Sequence, residues 1–340
     1  LDNGPPLDSL LVVDFEFLPW WIEEGAAMSL SAIYLYTERG LECAVTDQPL
    51  EAGELPAAKQ YAAWVERHRL FSARPGQPLP LRVTEVPKPW GRELWYTGVE
   101  QRGVCAVGND SGCTPIPWLQ SVLPDDRAGE AGKPLVLLKV LDPAPEEVAG
   151  DLYFELHEEK REVYVVTHVD EQAWPGGIGY IRYGFDPGKI DAAGSDAEFR
   201  RQYLEAVRSY ESVRRAIDDL PPGESAAPEW LERESTLRRE MESFTHMRPL
   251  QVGDVVVVPL CMPHSLQHGV RTIEFQTPVY ERKILSFAQR VLTQGHWDTD
   301  EGSRIMRLLP PQQQAFDLLH DSPGVTCERI VDFEDFEVQR

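Results

Sequence analysis

From residue 81 onward, the sequence consists largely of short apolar runs that end at turn-forming residues. The runs occupy positions 135–141, 162–169, 179–185, 255–259 and 272–276. Runs of this length bounded by glycine and proline are typical of β-strands, and the 28 prolines and 25 glycines of the chain supply the turns between them. We therefore predict a mainly β fold, in which the strands form a barrel or a sandwich.

A helical segment interrupts this β region. Ser195 followed by Glu198 is a capping-box signature, and apolar residues then recur at helical spacing. A second helical pattern opens at Pro228 and runs to Arg248, where a proline follows. The sequence therefore predicts a helical pair inserted at 195–248.

The ends of the chain lack recognisable chemistry. The first part combines a strand-like stretch at 29–37 with a helix-like stretch at 57–70. The predicted organisation comprises an N-terminal α/β segment of unknown role at 1–80, a β domain at 81–190 and 249–290 that contains the helical insertion, and a C-terminal extension at 291–340.

Composition excludes several classes of partner. With 33 basic and 56 acidic residues the formal charge is −23, which repels nucleic acid. No stretch approaches the run of about 20 apolar residues that a membrane span needs. The five cysteines are scattered and odd in number, which favours free thiols in a reducing compartment. We expect a cytoplasmic monomer or homodimer with no nucleic-acid or membrane partner.

The chemistry-bearing residues lie in two β segments. Glu155 and His157 stand two positions apart, so both point to one face of a strand, and Glu162 follows after a polar turn. In the second segment a buried strand ends at Pro259, and His264 returns to the next strand. Two carboxylates and two imidazoles suit Zn²⁺, Mn²⁺ or Fe²⁺ and leave open coordination positions. We predict one divalent metal ion bound by these four residues.

Each residue also has a simpler interpretation. A single glutamate is more often a surface carboxylate, and a single histidine is more often a hydrogen-bonded structural residue. His168 and His268 carry this structural interpretation. His168 shares the strand parity of Glu162, and His268 follows His264 by four positions.

The two motifs resemble those of the cupin barrel, and further segments resemble type I phosphomannose isomerases. These segments are 88–92 (KPWGR), 135–142 (LVLLKVLD) and 274–276 (EFQ) running to Arg282, in the family's order over 86–282. The resemblance implies a cupin (jelly-roll) barrel and isomerisation of a sugar or sugar phosphate between aldose and ketose. It implies zinc as the metal, with manganese or iron as alternatives. The ending at 330–338 resembles the opening strand of a second cupin domain.

The resemblance also suggests roles for basic residues. In this hypothesis the metal orders O1 and O2 of an open-chain sugar, Arg282 neutralises an enediolate, and Lys160 assists proton transfer or holds a hydroxyl group. Candidates for binding the substrate phosphate are Arg92, Lys139 and Arg271, each of which is otherwise a solvated or salt-bridged residue.

Departures from the family keep a second hypothesis open. Glu155 stands where the family has a glutamine, which adds negative charge at the metal and reduces its Lewis acidity. The acidic residue expected before Arg282 is missing near Pro278. The alternative is a cupin of another class, either a metal-dependent lyase or dioxygenase or a non-catalytic carbohydrate-binding protein.

Overall fold

The structure is a computed structural model of the chain. It describes residues 6–22, 24–51, 53–100, 103–123, 132–133, 135–221, 223–291, 295–310, 329–333 and 336–339. The strands are β1 Ser9–Phe17, β2 Met28–Thr37, β3 Gly40–Thr46, β4 Leu81–Arg82, β5 Thr84–Lys88, β6 Gly91–Trp95, β7 Val99–Glu100, β8 Gly103–Val104, β9 Ala106–Gly108, β10 Cys113–Pro115, β11 Leu137–Pro143, β12 Phe154–Leu156, β13 Glu162–Val169, β14 Gly179–Phe185, β15 Thr245–Leu250, β16 Val255–Val258, β17 His264–Leu266, β18 Val270–Gln276, β19 Lys283–Ser286, β20 Arg329–Phe333 and β21 Phe336–Gln339. The helices are α1 Ala57–Arg67, α2 Ile116–Gln120, α3 Pro187–Ala193, α4 Asp196–Asp218, α5 Pro228–Glu242 and α6 Thr299–Ile305.

The first of two compact units comprises residues 1–85 and 94–139. Strands β1, β2 and β3 form an antiparallel sheet, and α1 packs Tyr61 and Trp64 against Ile33 and Leu35 of β2. These elements match the strand and the helix predicted from the sequence, although α1 ends three residues before the predicted end.

The first unit extends further along the chain than the predicted boundary at residue 80. Strands β10, β9 and β4 form their own three-stranded sheet. Within the same unit the hydroxyl of Tyr34 donates a hydrogen bond of 2.9 Å to the carbonyl oxygen of Val122. Residues 94–139 therefore fold with the N-terminal segment. Local sequence patterns did not indicate this, because contacts between residues far apart in the chain decide it.

The second unit comprises residues 86–93 and 140–340 and contains most of the two larger sheets. Their strand orders are β16-β13-β18-β11-β6-β5 and β15-β14-β17-β12-β19. One hydrophobic cluster takes Tyr164 and Val256 from the first sheet and Leu156, Ile181 and Ile284 from the second. The sheets therefore face each other across a common core, as in a jelly roll.

The mainly β jelly-roll class predicted from the sequence is confirmed, with one qualification of its shape. The described strands around this core form two separate hydrogen-bonded sheets, of six and five strands, rather than one closed barrel. Strand β13 pairs antiparallel with both β16 and β18, and β17 pairs antiparallel with β12 and β14. This arrangement places the ends of β12, β13 and β17 close together.

Helices α3, α4 and α5 are inserted between β14 and β15. The Ser195 hydroxyl accepts a hydrogen bond of 3.2 Å from the Glu198 N–H, so the predicted cap is present. Helix α4 buries Phe199, Tyr203 and Val207 in the core of the second unit.

The second inserted helix ends earlier than predicted. Helix α5 stops at Glu242, whereas the sequence predicted a helix that continues to Arg248. Residues 245–250 instead form β15, which pairs with β14. Because β15 is the edge strand of its sheet, Pro249 is tolerated there without breaking a central ladder.

The C-terminal prediction lies partly outside the described residues. Residues 311–328 are not described, whereas β20 and β21 form an antiparallel pair within the segment predicted to open a second domain. Among the described residues, no helix has both the length and the apolar character that crossing a membrane requires.

Candidate metal centre

Strands from both sheets bring the four predicted ligands together. Glu155 on β12 lies directly opposite His264 on β17, and His157 follows β12 by one residue. Glu162 is the first residue of β13 in the facing sheet. Glu155, His157 and His264 can place one ligand atom each within 4.8 Å of one another. The geometry therefore assembles a candidate centre at this end of the sandwich.

Backbone carbonyls orient both imidazoles. His157 Nδ1 lies 3.0 Å from the carbonyl oxygen of Glu281, and His264 Nδ1 lies 3.0 Å from that of Met262. Since a carbonyl oxygen only accepts, Nδ1 carries a ring hydrogen in both histidines. Each Nε2 faces Glu162, at 3.4 Å from Oε1 for His157 and 3.0 Å from Oε2 for His264. Metal-binding histidines characteristically have such a second partner.

The donor set fits a divalent cation. His157 Nε2 and Glu155 Oε2 are buried and make no hydrogen bond within the described part of the chain. Each buried polar atom left unmatched costs about 1–3 kcal/mol. A cation bound by these atoms would remove that cost, and imidazole with carboxylate is a ligand set that zinc, manganese and iron accept.

Nearby positive charge keeps the two carboxylates ionised. Burial by itself raises the pKa of Glu155, but attraction from His157, Lys160 and Arg282 outweighs it, so the pKa lies below its ordinary value. Burial also opposes ionisation of Glu162, yet Lys160 and the two histidines hold its pKa well below the usual range. Both side chains are therefore available as anionic ligands at neutral pH.

The structure brings Lys160 and Arg282 to this centre. Lys160 is buried, and its Nζ lies 2.6 Å from Glu162 Oε1. Arg282 places a guanidinium nitrogen 4.0 Å from Glu155 Oε2, and its guanidinium carbon lies 4.8 Å from the centroid of the Tyr153 ring. Two positive groups therefore lie beside the carboxylates, where negative charge on a substrate would be stabilised.

Two of the three predicted phosphate-binding residues, Arg92 and Arg271, face away from this centre. Arg92 and Arg271 are exposed residues on strands whose neighbouring positions are buried, so they lie on the outer face of the six-stranded sheet. There both pair with Asp142, at 2.8 and 2.7 Å. Lys139 is buried on β11. Arg92 and Arg271 thus take the salt-bridged role that the sequence left open, because strand alternation turns them away from Glu162.

Sequence reasoning missed Tyr164 and Glu281. The Tyr164 hydroxyl donates a 2.6 Å hydrogen bond to Glu162 Oε2 and lies 3.1 Å from His264 Nε2. Burial and the charge of Glu162 raise its pKa well above the ordinary value, so it remains a donor. Tyr164 lies two residues after Glu162 on the same strand, so the sequence could have predicted that both side chains point to the same face.

Glu281 acts through both its main chain and its side chain. In addition to the carbonyl that holds His157, its Oε2 accepts hydrogen bonds of 2.8 and 3.2 Å from the N–H groups of Glu158 and Glu159. Glu281 therefore fixes the turn that carries Lys160. No local pattern could have found it, because the contact joins residues more than 100 positions apart.

The other two histidines of these segments have structural environments. His168 shares the parity of Glu162 in sequence, but a β-bulge between Val166 and His168 shifts the alternation and leaves it exposed. His268 Nδ1 lies 2.7 Å from Asp151 Oδ1, and its ring stacks on Trp174. Neither imidazole is directed at the centre.

Comparison with known proteins gives similarity of fold. The sequence matches no protein-family model and no curated protein at a significant level. The structure is similar to the mannose 6-phosphate isomerase from Bacillus subtilis, with 15% identity, coverage of 77% of this chain and 79% of that chain, and a TM-score of 0.44. It is also similar to a zinc-bound mannose 6-phosphate isomerase, with 12% identity, coverage of 68% of this chain and 75% of that chain, and a TM-score of 0.45. A putative mannosephosphate isomerase from Archaeoglobus fulgidus has 12% identity, coverage of 68% of this chain and 70% of that chain, and a TM-score of 0.40. These similarities concern the fold alone.

Proposed function

We propose that this protein is a metal-dependent aldose–ketose isomerase of the mannose-6-phosphate isomerase type, acting on a sugar or sugar phosphate through an enediol intermediate. The observation that carries the proposal is the convergence of two carboxylates and two oriented imidazoles beside two basic side chains. The order of the sequence motifs, which resembles that of type I phosphomannose isomerases, supplies the reaction class.

The carboxylates and imidazoles would bind the metal, and the basic side chains would act on the substrate. Glu155, His157, Glu162 and His264 would hold one divalent ion, with zinc as our first choice. When bound, that ion supplies Lewis-acid stabilisation to oxygens on adjacent carbons of the substrate.

Isomerisation moves one proton from C2 to C1 and a second from the O2 hydroxyl to O1, so that the aldose becomes a ketose without loss of atoms. Arg282, held over Tyr153, would stabilise the negative charge that develops on the enediolate. Lys160 would donate a proton to a substrate oxygen or hold a hydroxyl group, since its ammonium group already lies at the centre.

The test is a coupled assay for conversion of mannose 6-phosphate to fructose 6-phosphate. The chelator-treated protein should be inactive, and added zinc, manganese or iron should restore turnover in proportion to the metal bound. Arg282→Ala should lower kcat/KM strongly, whereas Arg271→Ala on the outer face should not. Full turnover by Arg282→Ala would remove Arg282 from the mechanism.

One observation favours a second candidate function. His157, His264 and a single carboxylate, Glu155, are a two-histidine, one-carboxylate set, which non-haem iron oxygenases use. Oxygen consumption by the iron-loaded protein with a phenolic or thiol substrate, without isomerase turnover, would select a dioxygenase instead.

A further inference from the structure

Buried polar side chains continue from the candidate metal centre along β18. Thr272, Glu274 and Gln276 are 0%, 1% and 7% exposed, whereas Arg271 and Phe275, at alternate positions of the same strand, are exposed. Because alternate residues of a strand point to the same side of the sheet, the three polar side chains share its inward face. This face of β18 is therefore polar, although it adjoins a hydrophobic core.

The strand register brings one end of this polar face to a predicted ligand. Gln276 lies directly opposite Glu162, and Thr272 lies opposite Val166. Directly opposed residues of antiparallel strands have Cβ atoms about 5 Å apart. The Gln276 side chain therefore begins beside the Glu162 carboxylate. Four residues of strand span about 13 Å, so the polar face continues well beyond the centre.

This face includes buried atoms with unmet hydrogen-bonding capacity. Gln276 Oε1 and Thr272 Oγ1 are buried and make no hydrogen bond within the described residues. An amide oxygen only accepts, so Gln276 Oε1 needs a donor supplied by something that enters the interior. Leaving such an atom unmatched is unfavourable enough that buried polar groups are rarely without partners.

We propose that Gln276 is a substrate-binding residue, whose Oε1 accepts a hydrogen bond from a hydroxyl group of an open-chain sugar or polyol that has its first carbons at the metal ligands. The inference rests on the proposed function and adds to it a residue that binds a substrate hydroxyl group close to the reacting carbons. An alcohol is the complementary donor for a neutral amide oxygen, and the position beside Glu162 places that donor on a carbon close to the reacting pair.

The test compares Gln276→Leu, which keeps the size and removes the acceptor, with Phe275→Leu on the exposed side of the same strand. Sorbitol 6-phosphate has no carbonyl group and cannot isomerise, so calorimetric titration of zinc-loaded protein with it measures binding alone. We expect about tenfold weaker binding by Gln276→Leu, corresponding to one hydrogen bond, with unchanged zinc content. Phe275→Leu should bind as the wild type does, and the KM for mannose 6-phosphate should rise only in the Gln276 variant.

The outcomes separate this inference from the proposed function. Equal affinity of Gln276→Leu and the wild type would overturn the inference and leave the isomerase activity standing, with buried water as the partner of Gln276. Loss of sorbitol 6-phosphate binding in Gln276→Leu, in a protein without isomerase turnover, would support the inference and overturn the function. No binding by the zinc-loaded wild type would overturn both. If Gln276→Leu fails to fold, Gln276→Met keeps the unbranched shape and gives the same comparison.

Discussion

The two faces of the six-stranded sheet both carry polar residues, but these differ in burial and in hydrogen bonding. On the inner face, Glu162 and Gln276 are buried and lie beside other groups with unmet hydrogen-bonding capacity. On the outer face, Asp142 accepts from Arg92 and Arg271 through its two oxygens, and both arginine side chains are 45% exposed. Exposed ion pairs contribute little to stability or function, whereas buried polar atoms without partners mark a place for a ligand.

Among substitutions that test this contrast, His264→Ala should have the largest effect on metal binding and activity. His264→Ala removes one imidazole from the candidate centre, so metal affinity should fall at least about 100-fold and isomerase activity with it. His168→Ala, which changes an exposed histidine, is the matched control and should keep its metal. Elemental analysis after dialysis measures the difference, and unchanged stoichiometry in His264→Ala would contradict the ligand assignment.

A separation of metal binding from catalysis is expected at Lys160. Lys160→Met keeps most of the buried stem and removes the ammonium group that lies 2.6 Å from Glu162. We expect metal content to be retained while kcat falls about 10²–10⁴-fold, the usual range for loss of a proton-transfer group. Activity within twofold of the wild type would show that Lys160 serves only to balance charge.

A smaller effect should follow from loosening the turn that carries Lys160. Glu281→Ala removes the acceptor for two backbone N–H groups, which should lower the free energy of unfolding by about 1–3 kcal/mol and weaken metal binding about tenfold. Glu281→Gln keeps an acceptor oxygen and should lose much less. Chemical denaturation and metal titration measure the two effects, and equal losses in both variants would show that the charge matters rather than the hydrogen bonds.

The outer face should respond weakly and only in stability. Burial raises the pKa of Asp142, but the hydrogen bonds from Arg92 and Arg271 lower it below its ordinary value. A carboxyl with a lowered pKa adds stability above its unfolded pKa of about 4 and loses it as the pH falls through the folded value. Asp142→Asn should therefore cost about 0.5–1 kcal/mol at pH 7, with a smaller difference at pH 3. Urea unfolding at both pH values tests this, and a changed KM would contradict the assignment to the outer face.

The smallest effect is expected in the turn before His264. Cys261 has a φ of 62°, a left-handed conformation that costs a non-glycine residue about 1–2 kcal/mol. Glycine adopts it freely but loses more entropy on folding, so Cys261→Gly should stabilise the protein by about 0.5–1 kcal/mol. Cys43→Gly, at a buried position without a positive φ, is the opposite control and should destabilise. A lower melting temperature for Cys261→Gly would show that the thiol makes contacts that outweigh the strain.

The parts of the fold with a strong local signal were predictable. Strands β13 and β14 have the bounds that the apolar runs predicted, and α4 begins at its capping box. Local signals failed where two patterns overlap. Residues 243–248 continue a helical pattern, yet sheet pairing with β14 draws 245–250 into an edge strand.

The residues of the candidate site also divide into those that the sequence could identify and those that it could not. Spacing placed Glu155 and His157 in one segment, and motif order added Glu162 and His264. Tyr164 could be predicted once Glu162 is chosen, because residues two apart on a strand share a face. Gln276 and Glu281 could not be predicted. Gln276 reaches the centre only through the register of β18 with β13, and Glu281 only through its contact with a distant turn.

The sequence alone determined which residues alternate along each strand, where the inserted helices begin, and that carboxylates and imidazoles occur at ligand spacing. These properties are local, since backbone geometry sets them within a few residues. Only the tertiary structure decided which strands are neighbours and in which register. It placed Glu162 against both histidines and turned Arg92 and Arg271 to the outside, and a single bulge removed His168 from the face that its parity predicted. Register is set by packing two sheets on one core, and no stretch of sequence contains that information by itself.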